Sequence, residues 1–264
     1  MLGKPIGIFD SGVGGLTVLR EIEKLLPFEN IVYFGDTARV PYGNKSKSTI
    51  IKFSCQSVRF LRTKKVKLIV IACNTSSSLA LNKLKQTFNI PILGMIKSGV
   101  NSAIKISQKR RIGIIGTKAT IKSNSYQRLI LGKDKRIKVY AQSCPLFVPL
   151  AEEGLLKGKA VREVMNMYLK NLKKKDIDTI ILGCTHYPLL WREIASYLKG
   201  VAIVDSAKEI ACGMRGILKS KGLLNRGKRK GRVEFYVSDE PKEFVRLAKL
   251  FLKRKIPNPR IANV

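Results

Sequence analysis

Two short apolar runs, each ending at a cysteine and a polar group, most constrain how this 264-residue chain folds. Cys73 and Cys184 lie near the ends of LIVIACNTS and TIILGCTHYP, and each follows a pattern typical of a buried strand. The cysteines are 111 residues apart, and PIGIFDS, from Pro5, precedes RIGIIGT, from Arg111, by 106 residues. These similar offsets predict two similar halves, and we expect the two cysteines to meet across the cleft between them.

Strand-like and helix-like patterns alternate along the chain. The predicted strands cover 5–9, 31–34, 68–72, 91–93, 111–115, 137–141, 179–183, 201–204 and 233–237, and the predicted helices include 47–63, 99–108, 122–131, 159–174, 206–220 and 242–253. Such alternation predicts an α/β fold with parallel strands and right-handed crossovers. We expect two similar α/β domains with mainly parallel sheets, related by a pseudo-two-fold axis, with the active site in the interdomain cleft. The predicted first domain is 1–97 plus 208–264, and the second is 98–207.

Composition and cysteine usage limit the class of protein. The longest apolar runs are far shorter than the ~18–20 residues of a membrane span, so we expect a cytosolic protein that does not associate with a membrane. The cysteines are odd in number and form no CxxC pair, so we expect free thiols and no metal site. We expect Cys55, Cys144 and Cys212 to be small buried hydrophobes. Cys73 and Cys184 differ because each ends a strand, where open α/β sheets bind ligands.

The charge is unusual, because 51 Lys and Arg against 18 Asp and Glu give a formal net charge of +33. The basic residues are spread from end to end of the sequence. A nucleic-acid-associated protein could have this charge, but aromatic residues are few and no recognition motif is present. A lysine-rich solvated surface is the favoured interpretation, and a positive field would equally attract a small anionic substrate.

The segment DSGVGG, from Asp10 to Gly15, joins the first strand to a helical pattern that ends at Pro27. Backbone N–H groups at the start of a helix suit an anionic ligand. The spacing matches neither G-x-G-x-x-G nor the P-loop, so the segment favours a carboxylate over a nucleotide. The alternative is a tight turn in which Ser11 caps the helix.

Six segments in order resemble the glutamate racemases of the cofactor-independent aspartate/glutamate racemase superfamily: IFDSGVGGLTVLREI, VYFGDTARVPYGNKS, VIACNTSSS, IGIIGTKATIKSNSYQ, CPLFVPLAEEG and LGCTHYPLL. The resemblance implies interconversion of L- and D-glutamate for peptidoglycan synthesis, without pyridoxal phosphate or metal, in a protein that is a homodimer in many members. An aspartate racemase is the related alternative, and a basic nucleic-acid-associated protein on the same fold is the alternative from another class. Ser76, Ala151 and the segment 96–99 depart from the family pattern.

The chemistry of racemisation explains a pair of cysteines. A proton must leave one face of the α-carbon and another must arrive at the opposite face, so Cys73 and Cys184 can act as thiolate and thiol in turn. A free cysteine has a pKa of about 8.5, so neighbouring groups must assist. The candidates are Asp10 and His186, with Glu153 as a weaker third. The alternative is a single-site nucleophile, with Cys184 attacking a carbonyl and His186 as its base.

The resemblance also implies which residues bind the substrate through its ammonium and carboxylate groups. They are Asp10, Ser11, Tyr42, Gly43, Asn74, Thr75, Thr117, Thr120, Thr185 and His186. For Tyr42 and Gly43 the alternative is a plain turn. For Thr117 and Thr120 it is a helix-capping role.

Overall fold

The computed structural model describes residues 2–264 and contains two parallel β-sheets. Its strands are β1 (Ile6–Asp10), β2 (Ile31–Gly35), β3 (Leu68–Ile71), β4 (Ile92–Gly94), β5 (Arg111–Gly116), β6 (Lys138–Ser143), β7 (Thr179–Gly183), β8 (Ala202–Asp205), β9 (Val233–Val237) and β10 (Arg260–Ile261). The first sheet has the order β10-β9-β2-β1-β3-β4 and the second has the order β6-β5-β7-β8. All neighbouring strands are parallel, as the predicted α/β fold requires.

Twelve helices connect and cover these strands within the described residues. They are α1 (Leu16–Leu25), α2 (Lys47–Thr63), α3 (Asn74–Leu79), α4 (Leu81–Thr87), α5 (Met95–Ile106), α6 (Lys118–Lys122), α7 (Ser125–Lys133), α8 (Phe147–Glu152), α9 (Lys159–Lys174), α10 (Trp191–Tyr197), α11 (Ser206–Ser220) and α12 (Pro241–Leu252). Three short 3₁₀ turns lie at Thr37–Arg39, Tyr42–Asn44 and Tyr187–Leu190.

The two sheets share one strand order. In the first sheet β2-β1-β3-β4 are adjacent, and the second sheet repeats this arrangement as β6-β5-β7-β8. Strands β3 and β7 therefore occupy equivalent places, and Cys73 and Cys184 follow their carboxyl ends. The first sheet is extended by β9 and β10 from the end of the chain. The predicted boundaries, 1–97 plus 208–264 and 98–207, stay a prediction.

Apolar side chains cover both faces of the first sheet. Ile8, Tyr33 and Val70 face a cluster that includes residues of α1, α11 and α12. Their neighbours on the same strands point to the opposite face and pack with α2 and α4. In the second sheet the central strands β5 and β7 are likewise buried between two clusters, whereas the edge strands β6 and β8 are partly exposed. Strands buried on both faces are continuously apolar, which is why the sequence shows runs rather than alternation.

Several element bounds differ from the predicted ones. The predicted helix at 122–131 is interrupted, because Asn124 has a left-handed φ of 54° between α6 and α7. Helix α5 begins at Met95, four residues before the predicted start. Helix α8 and strand β10 were not predicted, since α8 contains a proline and β10 is two residues long. Local breaks of this kind depend on single backbone conformations that apolar periodicity does not reveal.

The cysteines and helices also bear on the expected class of protein. Across residues 2–264 no helix has both the length and the apolar character that a membrane crossing requires. All five cysteines are free; Cys55 and Cys144 are buried, but Cys212 is exposed. The prediction for Cys212 was wrong because α11 turns Ala211 and Met214 toward the core and Cys212 toward solvent.

A buried ion pair fixes the segment after α11 to the first sheet. Lys67 Nζ lies 2.6 Å from Glu29 Oε2, and each side chain is 1% exposed. The ammonium also donates to the carbonyl oxygens of Leu2, at 2.9 Å, and Leu223, at 2.7 Å. The other Glu29 oxygen accepts from the Asn225 backbone N–H at 2.8 Å. Each charge therefore has an oppositely charged partner inside the protein.

We predict that Lys67→Met destabilises the protein by about 3–5 kcal/mol, because it leaves the Glu29 carboxylate buried without its cation. The free energy of unfolding from urea denaturation measures this loss. The exposed Lys52→Met is the control and changes stability by less than about 0.5 kcal/mol. A Glu29→Gln/Lys67→Met double variant regains part of the loss. Equal stability of Lys67→Met and the wild type contradicts the prediction.

Candidate active site

The carboxyl ends of β1 and β3 bring Asp10 next to Cys73. The Asp10 side chain is fully buried, and its Oδ1 accepts the Gly12 backbone N–H at 3.0 Å. Burial raises the pKa of the Asp10 carboxyl, while the charge of His186 and the N–H groups of Gly12 and Gly15 oppose that rise. The carboxyl group is thus influenced by residues of both halves of the chain.

Cys73 is the N-terminal cap of α3. Its Sγ accepts the Ser76 backbone N–H at 3.5 Å, and the residue is buried. Burial, with a further contribution from the charge of Asp10, raises the pKa of the Cys73 thiol to about 11, although hydrogen bonds from Ser76 and Ser11 oppose the shift. At neutral pH this sulfur therefore carries its proton and is a potential acid.

Cys184 has a different environment at the carboxyl end of β7. Its Sγ lies 3.8 Å from His186 Nδ1, and His186 Nε2 lies 2.9 Å from Glu152 Oε1. Burial lowers the pKa of His186, but the hydrogen bonds and charges of Cys184 and Glu152 outweigh it and raise the pKa to about 10. The imidazolium can donate one hydrogen bond to each partner, so a positive charge lies beside the Cys184 sulfur.

Glu152, the neighbour of the candidate Glu153, contacts the histidine. Glu152 is the last residue of α8 and is half-buried against His186. Glu153 is exposed, and its charge, like that of Glu152, raises the pKa of Arg246. Consecutive residues point about 100° apart around a helix, so only one of two adjacent carboxylates can face the imidazole. Because α8 was not predicted, the sequence offered no basis for choosing between them.

Close contacts join the two halves beside Asp10. Thr17 Oγ1 donates to the Thr185 carbonyl oxygen at 3.1 Å, and Thr185 Oγ1 donates to Asp10 Oδ2 at 3.5 Å. A Cβ atom at Gly14 would lie 2.6 Å from the Nδ1 and Cε1 atoms of His186. Glycine at this position therefore allows the turn after β1 to approach the histidine.

A hydroxyl cluster makes a second junction between the halves. Thr75 Oγ1 lies 2.9 Å from Thr117 Oγ1 and 3.3 Å from Thr120 Oγ1. Thr117 also caps α6, so its hydroxyl serves both the helix and the cluster. A Cβ atom at Gly43 would lie 2.8 Å from Thr117 Cβ, which places the 42–44 turn against the same group. Three hydroxyl groups are thus concentrated here beside the 42–44 turn.

The turn that contains Tyr42 and Gly43 is held by the buried carboxylate of Asp36. The Tyr42 hydroxyl donates to Asp36 Oδ2 in a short hydrogen bond. Arg39 Nε donates to both carboxylate oxygens, at 2.7 and 2.9 Å, and Ser238 Oγ donates to Oδ1 at 2.9 Å. The Tyr42 side chain is 2% exposed. Any polar group that Tyr42 offers to the site is therefore on its main chain.

The structure thus groups most of the predicted residues into two adjoining sets. The first set contains Asp10, Ser11, Cys73, Cys184, Thr185 and His186, and the second contains Tyr42, Gly43, Thr75, Thr117 and Thr120. Asn74 lies between Cys73 of the first set and Thr75 of the second, at the start of α3. Ser11 does not cap α1, whose N-cap is Gly15. Four residues were missed by sequence reasoning: Glu152, Thr17, Asp36 and Tyr126, whose hydroxyl donates to Asn74 Oδ1 at 2.7 Å. In the described part of the chain no group of three or more His, Cys, Asp or Glu could hold a metal ion.

Comparisons with known proteins match this chain to racemases in sequence and in structure. Residues 6–212 match the Asp/Glu/Hydantoin racemase family. A glutamate racemase of Aquifex aeolicus (strain VF5) is 46% identical over 98% of this chain and 97% of its own length. The structure of glutamate racemase from Francisella tularensis subsp. tularensis SCHU S4 in complex with D-glutamate is 38% identical, with a TM-score of 0.94 over 100% of this chain and 98% of that one. The glutamate racemase from Thermus thermophilus in complex with beta-chloro-D-alanine is 41% identical, with a TM-score of 0.90 over 99% and 98%.

His186 is the chain's single histidine, so its imidazole gives one assignable NMR titration. We predict that the imidazole stays protonated to a pH near 10 and that Glu152→Gln lowers this midpoint, because a neutral amide stabilises the imidazolium less than a carboxylate. Glu153→Gln is the matched control and leaves the midpoint unchanged. A wild-type midpoint near 6.5, or equal effects of the two variants, contradicts the arrangement.

Proposed function

The chain belongs to the Asp/Glu/Hydantoin racemase family, and on that premise we propose that it interconverts L- and D-glutamate by proton transfer between its two cysteines and the α-carbon. One observation carries the proposal: Cys73 and Cys184 follow equivalent strands of two sheets with the same order, and the buried Asp10 lies between their environments. A nucleophile that uses Cys184 and His186 alone leaves this duplication without a role.

The two sulfurs supply the two protonation states that racemisation needs. In one direction the Cys184 thiolate, beside the His186 imidazolium, takes the α-proton, and the electron pair of the C–H bond stays on the α-carbon. The Cys73 thiol, whose pKa is about 11, then returns a proton to the opposite face and becomes the thiolate. In the other direction Cys73 is the base and Cys184 is the acid. No proton is gained or lost overall.

The groups around the sulfurs suit a dicarboxylic amino acid. The hydroxyls of Thr75 and Thr117 and the N–H groups of the 42–44 turn can donate to carboxylate oxygens. Asp10 and Thr185 offer acceptors near the cysteines for the ammonium group. Electrostatic stabilisation of the developing negative charge at the α-carbon and its carboxylate comes from these fixed donors.

Three further parts of the proposal follow from the family rather than from the geometry. We propose that the D-glutamate enters peptidoglycan synthesis, that the protein acts in the cytosol, where free thiols persist, and that it forms a homodimer. Size-exclusion chromatography with light scattering tests the last point. Glutamate is favoured over aspartate because the relatives compared above are glutamate racemases.

We predict that the purified protein, treated with a chelator and given no added cofactor, brings either enantiomer of glutamate to the racemic mixture. Circular dichroism at fixed total glutamate follows the reaction. Aspartate is the control substrate. Racemisation of aspartate without glutamate would assign the chain to aspartate racemases, and reaction with neither substrate would contradict the proposed activity.

Cys73→Ser and Cys184→Ser should each lower racemisation by more than about a thousandfold, because a serine hydroxyl is a far poorer acid and base near neutral pH. Both variants should fold, and buried Cys55→Ser is the matched control, with activity retained. Each rate is measured by the same dichroism assay.

A sharper test uses the two enantiomers of β-chloroalanine, from which loss of HCl needs a single proton abstraction. We predict that one cysteine variant still eliminates chloride from one enantiomer and that the other variant does so from the opposite enantiomer. Chloride release measures the rates. If both variants process the same enantiomer equally well, the assignment of one cysteine to each face is wrong.

A further inference from the structure

Acidic residues are absent from a long continuous part of this chain. The 97 residues from Thr37 to Lys133 contain 20 Lys or Arg and no Asp or Glu, so all 18 acidic residues lie outside it. The basic residues are spread along the whole sequence, as expected, but the acidic residues are segregated. A uniform enrichment in lysine would lower the frequency of acidic residues along the whole sequence. It would not remove them from one segment alone. The excess of positive charge between Thr37 and Lys133 therefore needs an explanation of its own.

That segment forms a groove of about 1100 Å³ between elements of the two sheets. Its lining includes six exposed cations: Lys47, Lys83, Lys85, Lys97, Lys122 and Arg128. These residues come from α2, α4, α5, α6 and α7. No acidic residue lines the groove within the described chain, and Lys45 adds a half-buried seventh cation.

The cations of the groove are not neutralised by the protein. Across the described residues, ion pairs form elsewhere, including those of Arg136 with Asp134 and Arg246 with Glu243, but none involves the six cations. Like charges held around one concave surface repel each other and focus a positive potential in it. The groove is therefore suited to an anion with several charges.

We propose that this groove binds the phosphate backbone of a single nucleic-acid strand. Five of the six exposed cations are lysines, which contact phosphates as point charges without reading bases. No aromatic residue lines the groove, so base stacking is not available and recognition rests on the backbone. The proposal does not depend on racemase activity.

Other polyanions fit the groove less well. An anionic membrane is bound best by an exposed face that also inserts apolar side chains, but none of the exposed large hydrophobic residues of the described chain lines the groove. An acidic peptide presents carboxylates on side chains of variable spacing, whereas a nucleic-acid strand presents one charge per nucleotide at regular spacing. Regular charge suits cations that five helices, α2, α4, α5, α6 and α7, place around one groove.

The test measures the affinity of a fluorescent 20-nucleotide single strand by anisotropy at several salt concentrations. The variant Lys47→Gln/Lys83→Gln/Lys122→Gln removes three exposed cations of the groove. Its matched control, Lys170→Gln/Lys174→Gln/Lys199→Gln, removes three exposed lysines outside the acid-free segment that form no ion pair in the described structure. For a single strand, each phosphate contact contributes about −0.7 to the slope of the logarithm of the binding constant against the logarithm of the salt concentration. Removal of three contacts should therefore make this slope less steep by about 2.

We expect the groove variant to bind the strand about tenfold to a hundredfold more weakly at 0.1 M salt, while the control stays within about threefold of the wild type. Far-UV circular dichroism and thermal unfolding report that both variants are folded, whether or not the protein turns over glutamate. Equal losses in both variants would show that only the diffuse net charge acts, which overturns the proposal. Groove-dependent binding of phosphatidylserine vesicles or poly-glutamate in preference to the strand also overturns it.

Discussion

The buried carboxyl group of Asp10 is the point on which the two halves of the site depend. It lies at the end of β1, accepts a backbone N–H from its own turn and a hydroxyl from Thr185, and contributes to the electrostatics of both Cys73 and His186. A buried carboxyl group tolerates such a place only while donors from both sides compensate it. Any movement that separates the halves removes Thr185 and His186 from Asp10, so the geometry and the protonation states of the site are coupled.

The two cysteines occupy equivalent positions but have different surroundings. Cys73 is held as a thiol by burial and by the nearby Asp10 carboxyl, whereas Cys184 faces an imidazolium that Glu152 helps to keep charged. A repeated fold thus supplies two equivalent positions, and the two sulfurs have unlike neighbours. The raised pKa of His186 has a further consequence, because the folded state binds that proton more tightly than the unfolded chain. Its contribution to stability is complete below pH 6.5 and is lost as the pH rises toward 10.

Much of the fold could be predicted from the sequence because its strands are buried on both faces and read as continuous apolar runs. The bounds of α2, α9, α11 and β9 agree with prediction, since periodicity over a long amphipathic helix or a complete strand is a strong signal. The break at Asn124 and the short helix α8 depend on local backbone conformation, which that signal does not contain. The same limit explains why the contact of Glu152 with His186 was not predicted. The contacts of Thr17 and Tyr126, and that of Asp36 with Ser238, join distant segments, and no spacing in the sequence indicates them.

The central claim is that two cysteines act on opposite faces of one α-carbon. It is tested most directly by running the reaction from L-glutamate in D₂O and following deuterium at the α-carbon of each enantiomer by NMR and mass spectrometry. Two bases that exchange with solvent between turnovers predict that the first D-glutamate formed carries deuterium, while the remaining L-glutamate still carries hydrogen. Early D-glutamate that retains the substrate's hydrogen, or L-glutamate that exchanges faster than it racemises, would show that one group serves both faces and would contradict the account.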